Sequence, residues 1–177
     1  MSTSTSFPIL TALVLTPAIG AVLVTAISKR RPELVKLVSL AFSGIVAAMS
    51  VWMLCTFKSG EPGMQFVSKH MWIKPWGISW NLGVDGISLF LVVLTGLLWP
   101  IALLGADAHH DEKPYAAWLL LLQAGVMGSF MSQDLFLFFV FFEIVLVPMY
   151  FLIGKWGYEG RIYAATKFFL YTMVGSG

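Results

Sequence analysis

The sequence predicts an all-α polytopic membrane protein: five complete transmembrane helices, a truncated sixth, and one short extracytoplasmic (periplasmic) β-hairpin between helices two and three. Three observations carry this expectation. Of 177 residues, 58% are hydrophobic and 11% charged, against about 45–50% and about 25% in a soluble domain. The apolar residues gather into stretches near the ~20 residues needed to cross roughly 30 Å of hydrocarbon. Lysines and arginines sort onto alternate loops, as the positive-inside tendency requires.

The stretches run from Phe7 to Ile27, Leu34 to Phe57, Ile87 to Ala106, Tyr115 to Met131 and Leu135 to Ile153. A sixth starts near Ile162 and is still running at Gly177. No Lys or Arg precedes the first stretch, and the cluster Lys29, Arg30, Arg31 follows it. A secretory signal has the reverse charge order and a shorter apolar core, so the first stretch is expected to stay in the membrane as an anchor. Pro17 and Pro148 each withhold a backbone donor, and a kink is expected at both. Gly125, Gly128 and Ser129 give helix four a small-residue face for close approach of a neighbour. Cys55, the single cysteine, forms no internal disulfide and reads as a buried, inert thiol. Val174, Gly175, Ser176 and Gly177 include no basic residue to mark an exit, so residues 1–177 are expected to be one membrane domain from the front of a longer chain.

The loop from Lys58 to Asp85 is the one long connection. Trp76, Ile78, Trp80, Leu82 and Val84 alternate there with small or polar residues, and period two predicts a strand paired with Met64 to Trp72. Trp72, Trp76 and Trp80 are expected to form an interfacial aromatic belt. Lys29, Arg30, Arg31, Lys36, Lys113, Lys155 and Arg161 fall on one set of loops; only Lys58, Lys69 and Lys74 fall on the other. The first set is expected to face the cytoplasm. The N-terminus, the hairpin and the turn at Ser132, Gln133 and Asp134 then lie outside.

A net charge of +2 from scattered basic residues gives no stripe for nucleic acid. No phosphate loop, nucleophile elbow or metal-spaced cysteine pair occurs, so redox or hydrolytic chemistry on this chain has no support. His109, His110, Asp111 and Glu112 crowd one loop, but nothing nearby completes a ligand set, and solvated groups that collect protons are the better reading.

Glu143 is the strongest candidate for chemistry. It lies near the middle of an apolar helix, where an ionised carboxylate costs several kcal/mol unless it is paired, hydrated or protonated. Groups so placed usually mark ion or proton paths; the structural alternative is a neutral carboxyl bonded to a neighbouring helix. Pro148 leaves the carbonyl of Ile144 without its helical donor, which invites water or simply a packing kink. Lys167 admits two readings, a side chain snorkelling to the cytoplasmic interface or an inner relay residue, at a depth offset from Glu143. Asp85 and Asp134 each precede a helix and are expected to cap it.

Three segments also carry a resemblance: NLGVDGISLFLVVLTGLL from Asn81, FFEIVLVPMYFLIGKWG from Phe141 and AATKFFLYTMVGS from Ala164. Together they resemble the subunit M family of NADH-quinone oxidoreductase, respiratory complex I, which includes mitochondrial NADH dehydrogenase subunit 4. The resemblance implies the front part of an antiporter-like fold of about fourteen helices. In that family a glutamate on helix five, matched here by Glu143, modulates a lysine on helix seven, beyond Gly177. It also implies the inner (plasma) membrane, with other membrane-arm subunits, lipid, protons and internal water as partners. NADH, FMN, iron–sulfur clusters and quinone belong to other subunits, with no cofactor on this chain. A subunit of an Mrp-type sodium/proton antiporter shares the glutamate and is disfavoured by the LVPMY run. A natural short form with a structural role is the third reading.

Overall fold

Lipid offers no partner to a backbone N–H or C=O, so each apolar stretch must close its own hydrogen bonds and becomes a helix. In a computed structural model, which describes residues 8–28, 30–60, 63–73, 78–105 and 111–177 and only the backbone at 71–73 and 78, the helices are α1 (Ile9–Ala26), α2 (Pro32–Thr56), α3 (Gly86–Gly105), α4 (Glu112–Met131), α5 (Leu135–Trp156) and α6 (Arg161–Ser176). Each boundary falls within a helical turn of the expected one. The first five are long and apolar enough to cross a membrane. Helix α6 contributes 16 residues, to Ser176. Helices α1, α3 and α5 continue across Pro17, Pro100 and Pro148.

Helix α4 is the hub, packing against α1, α2, α3 and α5; α6 reaches the bundle through α5. Its small residues explain the closeness of α5. A Cβ on Gly125 would meet Val145 Cγ2 at 2.8 Å, and one on Gly128 would collide with the ring of Phe141. Packing at such sites replaces the hydrophobic drive that lipid removes. Large side chains left exposed, among them Val22, Phe90, Ile101 and Leu135, suit surfaces that face acyl chains.

Between α2 and α3 lies an antiparallel hairpin, β1 (Gln65–Ile73) and β2 (Ile78–Val84), with Ser68 opposite Leu82 and His70 opposite Trp80. The pairing expected from the alternation is therefore present. Leu82 and Val84 are buried. Leu82 also bridges to Ser132, and the Gln133 N–H donates to the Asn81 carbonyl at 2.9 Å. Trp80 Nε1 donates to Thr11 Oγ1 at 3.1 Å, and Thr11 Oγ1 and Ser68 Oγ lie 3.4 Å apart. The hairpin, the first turns of α1 and the α4–α5 turn thus share one end of the bundle. At the other end Lys155 Nζ pairs with Asp111 Oδ2 at 2.7 Å, joining the end of α5 to the start of α4. Both side chains are about half exposed, so the pair contributes at most about 1 kcal/mol.

Two expectations need correction. Cys55 is exposed on α2 rather than buried: an apolar run in lipid can turn any face outward, so apolar neighbours do not imply an interior position. Trp80 turns inward, half-buried, with its ring edge-on to Phe141 at 5.6 Å, because its N–H finds Thr11 there instead of the interface. Met1 to Ser6, Lys29, Lys74, Trp76, His109 and His110, and the side chain of Trp72, lie outside the described residues, and the readings placed on them go with them.

The α4–α5 contact makes a direct prediction. Gly128→Leu should destabilise the protein by about 1–3 kcal/mol through overpacking, seen as a lower unfolding temperature in nanodiscs. Gly44→Ala, whose new methyl meets nothing within 4 Å, should leave that temperature unchanged or slightly raised, since alanine is the better helix former.

Candidate functional site

The start of α5 is firmly held. Asp134 is extended at the N-cap, and its carboxylate accepts from the backbone N–H of Phe136 at 2.9 Å and of Leu137 at 3.3 Å. Gln133 adds a side-chain bond from Nε2 to the Gly83 carbonyl at 3.2 Å. The next two turns carry Phe141 against Trp80 and Gly128. With its start and that face held, α5 has a set rotation, and Glu143 follows from it.

Glu143 is half-buried: among the described residues α5 packs mainly against α4, α6 and β2 and leaves Phe138, Phe139 and Val147 exposed. Its carboxyl meets α6, where Ser176 Oγ lies 2.6 Å from Glu143 Oε1. The same hydroxyl lies 3.1 Å from the Met173 carbonyl oxygen. A hydroxyl has one proton and two lone pairs. With Glu143 ionised, Ser176 donates either to the carboxylate or to the carbonyl. With Glu143 protonated, the carboxyl donates to Ser176 Oγ and Ser176 donates to Met173, so both contacts are made at once. The Ser176 hydroxyl can therefore either donate to the carboxyl or accept from it.

Lys167 is elsewhere. It is exposed on α6, with Nζ 5.7 Å from the centre of the Tyr163 ring. It leans one turn toward the helix N-terminus, the usual direction for a helical side chain. Ser176 follows it by nine residues, about 13 Å along the axis, so the structure does not bring Lys167 to Glu143. Ser176, the partner that is present, was not singled out in the sequence: it lies 33 residues from Glu143, and no local pattern links a serine to an acid on another helix.

Asp85 caps α3 as expected. Its Oδ1 accepts from the N–H groups of Ile87 at 3.0 Å and Ser88 at 2.7 Å and from Ser88 Oγ at 2.8 Å, while its own N–H donates to Ser88 Oγ at 2.9 Å. The bonds from Ser88, followed by that from Ile87, hold the carboxyl below its ordinary value of 3.8. Asp111 precedes α4 with a left-handed backbone and no side-chain cap; its carboxylate is turned to Lys155. Among the described residues no three His, Cys, Asp or Glu side chains group as a metal would require.

Residues 132–177, the α4–α5 turn through α6, match a sequence profile described as NADH:quinone oxidoreductase/Mrp antiporter, transmembrane. NADH-quinone oxidoreductase subunit M of Rhodobacter capsulatus is 45% identical over 144 residues, 80% of this chain and 27% of that one. The chain belongs to the subunit M (chain 4) family of NADH-quinone oxidoreductases. NAD(P)H-quinone oxidoreductase chain 4 of Gloeobacter violaceus is 37% identical over 172 residues, 96% of this chain and 32% of that one. The structure of respiratory complex I from Thermus thermophilus with bound NADH superimposes with a TM-score of 0.79 at 26% identity, covering 96% of this chain and 33% of the matched one. The chain thus spans about a quarter to a third of the length of these relatives. Their antiporter-like architecture is the one expected from the quoted segments.

The Asp85 cap predicts a pH effect. Its carboxyl titrates lower in the folded protein, so its contribution is complete above the unfolded value near 3.8 and is lost as pH falls through the lower folded value. Amide exchange at Ile87 and Ser88 should accelerate at that acid end, and Asp85→Ala should show the acceleration at neutral pH, with a loss of about 1 kcal/mol.

Proposed function

We propose that this chain is the front part of a proton-translocating membrane-arm subunit of NADH:quinone oxidoreductase, with Glu143 as the proton carrier. The observation that carries the proposal is the carboxyl itself: an ionisable group within the apolar span of α5, 2.6 Å from the Ser176 hydroxyl, which can donate to it or accept from it. A charge at mid-helix costs about 3 kcal/mol on insertion scales, and a hydrogen bond to a charged group returns about 1.5–3 kcal/mol. The energy for moving the proton comes from quinone reduction in other subunits. This chain supplies no flavin, iron–sulfur or quinone site. Its neighbours are other membrane-arm subunits, lipid and internal water.

The charge sorting supports an inner-membrane placement with the N-terminus and hairpin outside and the Asp111–Lys155 end at the cytoplasm. In that orientation the lean of Lys167 toward Tyr163 is a lean toward the cytoplasmic interface, which favours snorkelling over an inner relay. The matched profile names the Mrp antiporter as well, so sodium/proton exchange is the second reading. Its relatives named as oxidoreductase subunits favour the first.

In the full-length subunit, Glu143→Gln should reduce quinone-linked proton transport to near background while NADH oxidation by artificial acceptors continues. Transport at the unmodified level would remove the proposal. Ser176→Ala should give a smaller loss and an infrared shift of the protonated carboxyl stretch. Lys167→Met should leave transport almost unchanged; a loss as large as that of Glu143→Gln would instead make it a relay.

A further inference from the structure

The first four helices enclose a second polar place, separate from Glu143. Gln123 on α4 is completely buried, and among the described residues neither its Oε1 nor its Nε2 has a hydrogen-bond partner. Ser43 on α2 is also completely buried, and its hydroxyl likewise has no partner among the described residues. These two groups share a depth. Gln123 lies between Leu120, in the apolar cluster at the charged end, and Met127, in the cluster at the hairpin end. Ser43 lies between Val35 and Val46, which belong to the same two clusters in the same order. Helices α2 and α4 are in contact, so the polar side chains fall in the layer where one apolar cluster gives way to the other.

The face of α2 that carries Ser43 also carries Ser39, which lines a cavity nearer the charged end. Between α2, α3 and α4 there is a cavity of about 40 Å³ whose polar lining is Lys36, Ser39, Glu112 and Tyr115. One water needs about 10–15 Å³ on this measure and two to four polar partners. Ser39 is buried with its hydroxyl donating to the Lys36 carbonyl at 3.0 Å, and Ser43 stands one turn deeper on the same face of α2. Beyond it Gln123 offers two donors and a carbonyl oxygen. The polar line is thus Lys36 and Glu112 at the mouth, then Ser39, Ser43 and Gln123. Gly125, which faces α5, is two residues from Gln123 and so about 200° around α4; helix α4 itself separates this line from the carboxyl on α5.

We propose that Gln123 and Ser43 form an internal water site, filled from the Lys36–Glu112 end of the bundle past Ser39. Its ligand is water, held by the amide and the hydroxyl that no group among the described residues satisfies. Unlike the carrier role of Glu143, this site requires neither proton transport nor redox coupling, and its test is independent of both.

Pulsed X-ray footprinting of the full-length protein in membrane vesicles, in heavy-oxygen water, reads the site directly, because radiolysis of a bound water oxidises the side chains beside it. Met127 stands one turn beyond Gln123 and is completely buried, as are Met53 and Met131 in the hairpin-end cluster. Met127 should incorporate heavy oxygen several-fold faster than Met53 and Met131, and Gln123→Leu and Ser43→Ala should each bring it down toward their level. Equal slow labelling of all three methionines in the unmodified protein would overturn the proposal, and that comparison needs no variant to fold. Fast labelling of Met127 that survives both substitutions would equally overturn the assignment of Gln123 and Ser43 as the water's ligands.

Discussion

Hydrocarbon satisfies no backbone hydrogen bond and solvates no charge. That constraint arranges almost everything in this molecule. It makes the apolar stretches helical, keeps the hairpin at one end of the bundle, and collects the caps at Asp85 and Asp134 and the Asp111–Lys155 pair at the helix ends. Whatever polar group remains within the spans is then conspicuous, since each one carries a cost that only a partner, a proton or a water relieves. Glu143 and Gln123 are the two clearest cases.

Helix α4 keeps those two cases apart. One face is pared down to Gly125 and Gly128, so that α5 can seat Val145 and Phe141 against it. The other carries Ala116, Leu120, Gln123 and Met127 at helical spacing into the bundle of α1, α2 and α3. The first face sets the position of the carboxyl through backbone proximity; the second buries an amide among apolar clusters. A single helix therefore separates the carboxyl on α5, whose contact is Ser176, from the amide proposed to hold water.

The hairpin contributes by restraint rather than chemistry. It joins α1 through Trp80 and Thr11, the α4–α5 turn through Asn81, Leu82 and Gly83, and α5 through Trp80 and Phe141. Two-stranded hairpins are marginal alone, and this one is stabilised by what it clamps. Its contacts reach from Gln133, at the start of α5, to Phe141, two residues before Glu143, and so fix the rotation of α5.

Local pattern alone determined the spans, the strand pairing, the two aspartate caps and the small face of α4, and it placed Glu143 within the apolar run of α5. Each of these depends on neighbours within a few residues or on the length of an apolar run. The facing of each helix was a different matter, because in lipid both the packed and the exposed sides are apolar and hydrophobicity carries no direction. Hence Cys55 points outward, Trp80 points inward, and the partner of Glu143 is a serine on α6. The depth match between Gln123 and Ser43 likewise exists only after α2 and α4 have docked, since helix rotation and relative height are set by packing between distant segments.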